Sequence, residues 1–258
     1  KEYKSEALLI EVVDVGQGGS VAAANNQDSA ILMWVLSDSE VYKGEAVRAS
    51  LMLYYKAEVL NYNIVKMGTF DNFQNEQLDG NVPGPRQRYK DGVYDTYKIF
   101  DYLLVPQKSG TLQLPEVGVD LVVGVEVQNE YDIFYNRIWD DEIWYRRSLP
   151  ASLKVKELPS GAPTSFKGAM GSFQMECKTP VTSISKNSAN EVSVTISGSG
   201  NLGYIVAPDI TMPQSFELYD PTISENIQNG NSGRITYTYP FMVRAEGEFE
   251  IPGVEFTY

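Results

Sequence analysis

The chain has 258 residues, enough for two modules of ordinary size, and carries 34 acidic against 21 basic residues for a net charge of −13. That balance excludes the two partner classes that recruit cations, nucleic acid and anionic lipid. It has no histidine and a single cysteine, so Ser-His-Asp triads, Cys-His pairs, histidine-ligated metals, thiolate clusters and an intramolecular disulfide are all excluded.

The first residues are charged, and Ala7-Leu8-Leu9-Ile10-Glu11-Val12-Val13 follows as an apolar strand candidate. Gly16 to Gln27, rich in Gly, Ala, Asn and Gln, reads as a linker, so residues 1–27 are expected to hold the remnant last strand of a preceding module plus a linker. Ala49, Leu51, Leu53 and Tyr55 then alternate with other residues at the period of a half-buried strand. Leu153 with Val155, Val192-Ser193-Val194-Thr195-Ile196-Ser197, and Ile235, Tyr237, Tyr239, Phe241 and Val243 repeat the pattern. Runs of helical period with caps are hard to find.

An internal repeat organises these strands. Tyr102, Gly110, Pro115 and Val117 recur as Tyr239, Gly247, Pro252 and Val254, each pair offset by 137 residues. Both copies predict a strand, a Gly turn, a second strand and a Pro near its end, where the missing N–H is tolerated. Leu158-Pro159-Ser160-Gly161-Ala162-Pro163 is the predicted boundary. The expected architecture is therefore all-β: two tandem immunoglobulin-like β-sandwich modules, residues 28–158 and 159–258, preceded by the remnant strand.

Few residues invite chemistry. Gly198-Ser199-Gly200-Asn201-Leu202-Gly203 has the spacing of a dinucleotide fingerprint, but Tyr204-Ile205-Val206-Ala207-Pro208 cannot begin the helix that would hold a pyrophosphate. A strand-to-strand corner is the better reading. Asp140-Asp141-Glu142, between Trp139 and Trp144, lacks the spacing of a calcium loop or of a specific glycosidase pair, and is expected to be a polar loop. Cys177, in alternation with Phe173 and Met175, is expected to be an inert, inward-facing thiol. No catalytic residue, cofactor or metal is expected. Tyr131, Phe134, Tyr135, Trp139, Trp144 and Tyr145 concentrate the residue types of interface hot spots and are the candidate partner-binding set. The competing reading is a hairpin whose rings complete the core.

Several short runs, taken in order, resemble the BatD family of aerotolerance (oxygen tolerance) proteins. In the first module they are Val41-Tyr42-Lys43-Gly44-Glu45-Ala46-Val47, Leu104-Val105-Pro106-Gln107-Lys108-Ser109-Gly110 and Leu149-Pro150. In the second they are Phe166-Lys167-Gly168-Ala169-Met170-Gly171-Ser172-Phe173, Gly198-Ser199-Gly200-Asn201-Leu202, Phe216-Glu217-Leu218-Tyr219-Asp220-Pro221 and Gly247-Glu248-Phe249-Glu250-Ile251-Pro252. The resemblance implies an internal periplasmic fragment of an inner-membrane-anchored envelope protein, with the anchor outside this chain. It further implies a non-enzymatic scaffold or protein-interaction role in aerotolerance or envelope stress, with von Willebrand factor A-domain membrane proteins of the same system as partners. The alternative reading is a carbohydrate-binding or surface-adhesin β-sandwich.

Overall fold

The computed structural model describes residues 27–179, 182–228 and 230–258, and the expected remnant strand at 1–13 lies outside them. Among the described residues every regular element is a strand, apart from 3-10 turns at Gln27–Ser29 and Leu202–Tyr204. None is a helix long and apolar enough to cross a membrane. The protein is all-β.

The first module contains β1 (Ala30–Leu36), β2 (Glu40–Tyr42), β3 (Val47–Tyr55), β4 (Glu58–Met67), β5 (Phe73–Gln77) and β6 (Val82–Tyr89). It continues with β7 (Gly92–Pro106), β8 (Gly110–Gln113), β9 (Val117–Tyr131), β10 (Arg137–Leu149) and β11 (Ser152–Lys156). An eight-stranded sheet runs β4-β9-β10-β1-β3-β7-β5, with β6 also on β7. Its weak point is the parallel step from β10 to β1, registered at Leu32–Ser148 and Met33–Leu149. On either side of that step, β1-β3-β7-β5 and β4-β9-β10 supply side chains to one core, so the sheet closes on itself as a sandwich. Period-two alternation is the cause: Val47, Ala49, Leu51 and Leu53 point in from β3, and Val117, Val119, Leu121 and Val123 from β9. A three-stranded sheet, β2-β11-β8, adds Val41, Leu112, Leu153 and Val155 to the same core.

The second module is laddered as one five-stranded sheet, formed by β12 (Gly171–Lys178), β13 (Ala189–Gly200), β14 (Phe216–Leu218), β15 (Thr222–Gln228) and β16 (Ser232–Val243). The layer over it is extended chain. Ile205, Ala207, Ile210, Val254 and Phe256 cover Val194, Ile196, Ile235, Tyr237 and Tyr239. The Tyr237 hydroxyl donates to Ile205 O at 2.6 Å and the Tyr239 hydroxyl to Pro208 O at 2.5 Å, tying cover to sheet. Burial pushes the Tyr239 phenol up to about 12.

The internal repeat holds in part. Tyr102 and Tyr239 are both core residues, and Gly110 and Gly247 both turn with positive φ. After Gly110 the chain forms the laddered strand β8. After Gly247 it runs extended without a ladder, touching strand geometry at the Phe166–Thr257 bridge. The expected second strand of that copy is thus a covering segment.

The glycine fingerprint is indeed a corner. A Cβ on Gly198 would collide with Ser172 O, and one on Gly200 with Met170 O, so glycine permits β12 to lie close against β13. Asn201 at the corner is buried and links the modules: its Nδ2 donates to Gly44 O at 2.9 Å and to Gly168 O at 2.8 Å, while its Oδ1 accepts from Met170 N at 2.8 Å. Gly230 packs nearby on Leu78 and Leu103 of the first module.

Candidate functional site

The β9–β10 hairpin is longer than the sheet that supports it. β4 pairs with β9 as far as Glu58–Gly124, whereas β10 follows β9 on to Trp139–Glu126 and Arg137–Tyr131. Among the described residues, the outer part is therefore a two-stranded arm that no third strand joins. At its tip, Asp132 closes the turn by accepting from Phe134 N and Asn136 N at 2.8 Å and from Asn136 Nδ2 at 2.9 Å. These bonds to the ionised form hold its carboxyl below the usual range, the Asn136 side chain contributing most.

A well-ordered turn thus presents unburied rings. Ile133 is 88% exposed, Tyr135 87% and Phe134 76%. Tyr131, Trp139, Ile143 and Tyr145 extend the exposed apolar surface down the arm. Single exposed apolar side chains are ordinary, but contiguous ones on a projecting element mark contact surfaces.

Of the six candidate residues, Tyr131, Phe134, Tyr135, Trp139 and Tyr145 are exposed on this hairpin. Trp144 is not available to a partner. It is 7% exposed, sits in the first module's core, donates its Nε1 to Glu142 Oε2 at 2.9 Å and is covered by Arg146, whose side chain lies 5.0 Å from the ring. A separation of five residues explains the split, because it puts Trp139 and Trp144 on opposite faces of one strand.

Asp140, Asp141 and Glu142 are also placed differently from expectation. They lie inside β10 and not in a loop, paired with Val125, Gly124 and Val123. Consecutive strand residues alternate faces, so the three carboxylates do not converge. Among the described residues no group of His, Cys, Asp and Glu is arranged to hold a metal ion.

Cys177 is exposed, a correction to the inward-facing expectation. It shares the face of Phe173 and Met175, but β12 has run past the core by then. Partial desolvation raises its pKa, which favours the neutral thiol.

Sequence reasoning missed a buried ion node. Asp101 has no exposed surface and accepts from Arg48 Nη2 at 2.5 Å, Lys98 Nζ at 2.7 Å and Ser50 Oγ at 2.8 Å. Burial pushes its pKa up, but the bonds from Arg48, Lys98 and Ser50 outweigh it and the net shift is downward. Its signal was weak: Arg48, Ser50 and Asp101 meet because β3 pairs with β7. A cleft of about 320 Å³ in the second module, lined in part by Lys167, Asp209, Ser165 and Glu255, is internally satisfied. Asp209 pairs with Lys167 at 2.5 Å, and Glu255 accepts from Ser165 at 3.1 Å.

No curated protein matches the chain. Residues 178–258 match the family model described as BatD DUF11 like domain. That segment is similar to the BatD domain. The match spans β13 to the covering segment, and so includes the Gly198–Leu202 corner, the Phe216–Pro221 run and the Gly247–Pro252 turn. The BatD-like segment thus lies in the module docked through Asn201, and the aromatic arm belongs to the module before it.

Proposed function

We propose that the chain is a non-enzymatic scaffold of the cell envelope, part of a membrane-anchored aerotolerance or envelope-stress protein, that binds protein partners through the β9–β10 arm. The observation that carries this reading is the arm's tip, where Ile133, Phe134 and Tyr135 stand exposed on a turn fixed by Asp132. Rigid aromatic side chains supply contact area at low entropic cost. Tyr131, Trp139 and Tyr145 are the further proposed contacts. The Asn201 and Gly230 contacts between modules support a stiff spacer that holds the arm at a set position relative to the BatD domain. The carboxylates of the second-module cleft are engaged by Lys167 and Ser165, in keeping with a structural role.

The BatD match and the resemblance behind it favour von Willebrand factor A-domain membrane proteins of the same system as partners, on the periplasmic side of the inner membrane. The test is titration of such a domain, purified, into the intact chain by calorimetry. Saturable binding at micromolar concentration is expected. No heat of binding from two folded proteins at about 100 μM would reject the scaffold reading.

A further inference from the structure

The repeat between the modules extends to their hydrogen bonds. Gly44 N donates to Pro106 O at 2.9 Å and Asn187 N to Val243 O at 2.8 Å. Gln107 N donates to Asn72 O, and Arg244 N to Ser215 O, both at 2.8 Å. Phe73 pairs with Pro106 as Phe216 pairs with Val243. Residues of β1 to β5 thus recur 143 positions later, and those of β7 and beyond 137 positions later. On this correspondence Tyr62, Ile64 and Met67 of β4 answer to Ile205, Ala207 and Ile210, and Val117 and Val119 of β9 answer to Val254 and Phe256. Tyr62 and Ile64 pack on the first core just as Ile205 and Ala207 pack on the second.

The two modules differ in what joins these segments. In the first they are laddered, Ile64 to Val119 and Met67 to Val117, with Gly68 N donating to Glu116 O at 3.1 Å. In the second, among the described residues, no ladder joins them, and the cleft of about 320 Å³ lies between. Ile205, Asp209 and Thr211 line one side, and Gly253, Glu255 and Phe256 the other. The first side is held to the sheet by the Tyr237 and Tyr239 hydroxyls, on Ile205 O and Pro208 O. The second side is tied instead to the chain before β12. Thr257 bridges to Phe166, its hydroxyl lies 2.8 Å from that of Ser165, and Ser165 also donates to Glu255 Oε1 at 3.1 Å.

We infer that residues 253–258 are a strap with a second seat, laddered to residues 205–211 in the register of β4 and β9. Closing sets Val254 opposite Ile210 and Phe256 opposite Ala207, and brings Gly253 O to Thr211 N as Glu116 O lies to Gly68 N. Pro208 is no obstacle, because its counterpart Val65 is the residue that the β4–β9 ladder skips between Ile64 and Lys66. The closed seat removes the cleft and turns the cover into a second laddered layer. Charge opposes it: Asp209 and Glu255 meet where the first module pairs Lys66 with Gly118, and like charges opposite one another destabilise a ladder. In the open seat each carboxylate has a partner, Lys167 for Asp209 and Ser165 for Glu255. Removing the repulsion, or the Ser165 tie, shifts the strap toward the closed seat.

Hydrogen exchange on the intact chain tests this. In Glu255→Gln and in Ser165→Ala, the amides of residues 205–211 and 253–257 should exchange at least threefold more slowly than in wild type. If the open seat is the only one, loss of the Ser165 tie frees the strap, and exchange that is faster or unchanged in Ser165→Ala would overturn the inference. Cysteine pairs in a Cys177→Ser background read the register independently. Asp209→Cys with Glu255→Cys should oxidise at least tenfold faster than the out-of-register pair Asp209→Cys with Gly253→Cys, with the circular dichroism spectrum unchanged in both. Equal rates, or faster closure of the out-of-register pair, would also overturn it.

Discussion

Val117, Val119, Leu121 and Val123 at the root of the β9–β10 hairpin are sealed from solvent, while Ile133, Phe134 and Tyr135 at its tip are almost wholly exposed. Both ends are apolar and both belong to the same ladder. The difference is what lies across the strand: among the described residues, β4 and the facing sheet at the root, and nothing at the tip. An apolar residue in a strand reports burial where a second layer exists and display where it does not.

Substitutions along the molecule sharpen that contrast. The largest effect is expected at the root: Trp144→Ala opens the core and should cost about 3–5 kcal/mol, read from denaturant unfolding. Next is Asp101→Asn, which leaves Arg48 and Lys98 beside a neutral group and should cost about 3 kcal/mol near neutral pH. The sign of its pH dependence follows from the lowered pKa of Asp101. The ion node's contribution is complete above the unfolded carboxylate value of about 4 and is lost as pH falls through the lower folded value. Wild type and variant should therefore converge in stability in strong acid, and a gap that widens there would contradict the node.

Asn201→Ala removes bonds to Gly44, Gly168 and Met170 and should cost about 2 kcal/mol, with the modules melting in separate calorimetric transitions where wild type gives one. The smallest effect on stability is expected at the tip. Phe134→Ser with Tyr135→Ser should shift unfolding by no more than about 0.5 kcal/mol, because neither ring is buried.

Much of the fold was legible because alternation has a physical cause. The inward runs of β3, β13 and β16 read directly as strand faces, and the Gly198–Gly203 run read as the corner that it forms. The arm was legible in composition but not in geometry. With no covering layer among the described residues, residues 138–143 lose the alternation that marks a half-buried strand, so Asp140-Asp141-Glu142 reads as a loop. Cys177 and the 247–258 segment were misplaced for a related reason: alternation shows which face a residue shares, but not where the core ends or whether an extended segment is laddered. The Asp101 node depends on β3–β7 register, which local sequence does not contain.

The central claim is that the exposed tip of the arm, and not the core or the cleft, engages the partner. Its most direct test is the affinity of a purified von Willebrand factor A domain for the intact chain with and without Phe134→Ser and Tyr135→Ser. A weakening of at least tenfold at unchanged thermal midpoint is the expected result. Equal affinity for both forms would contradict the account.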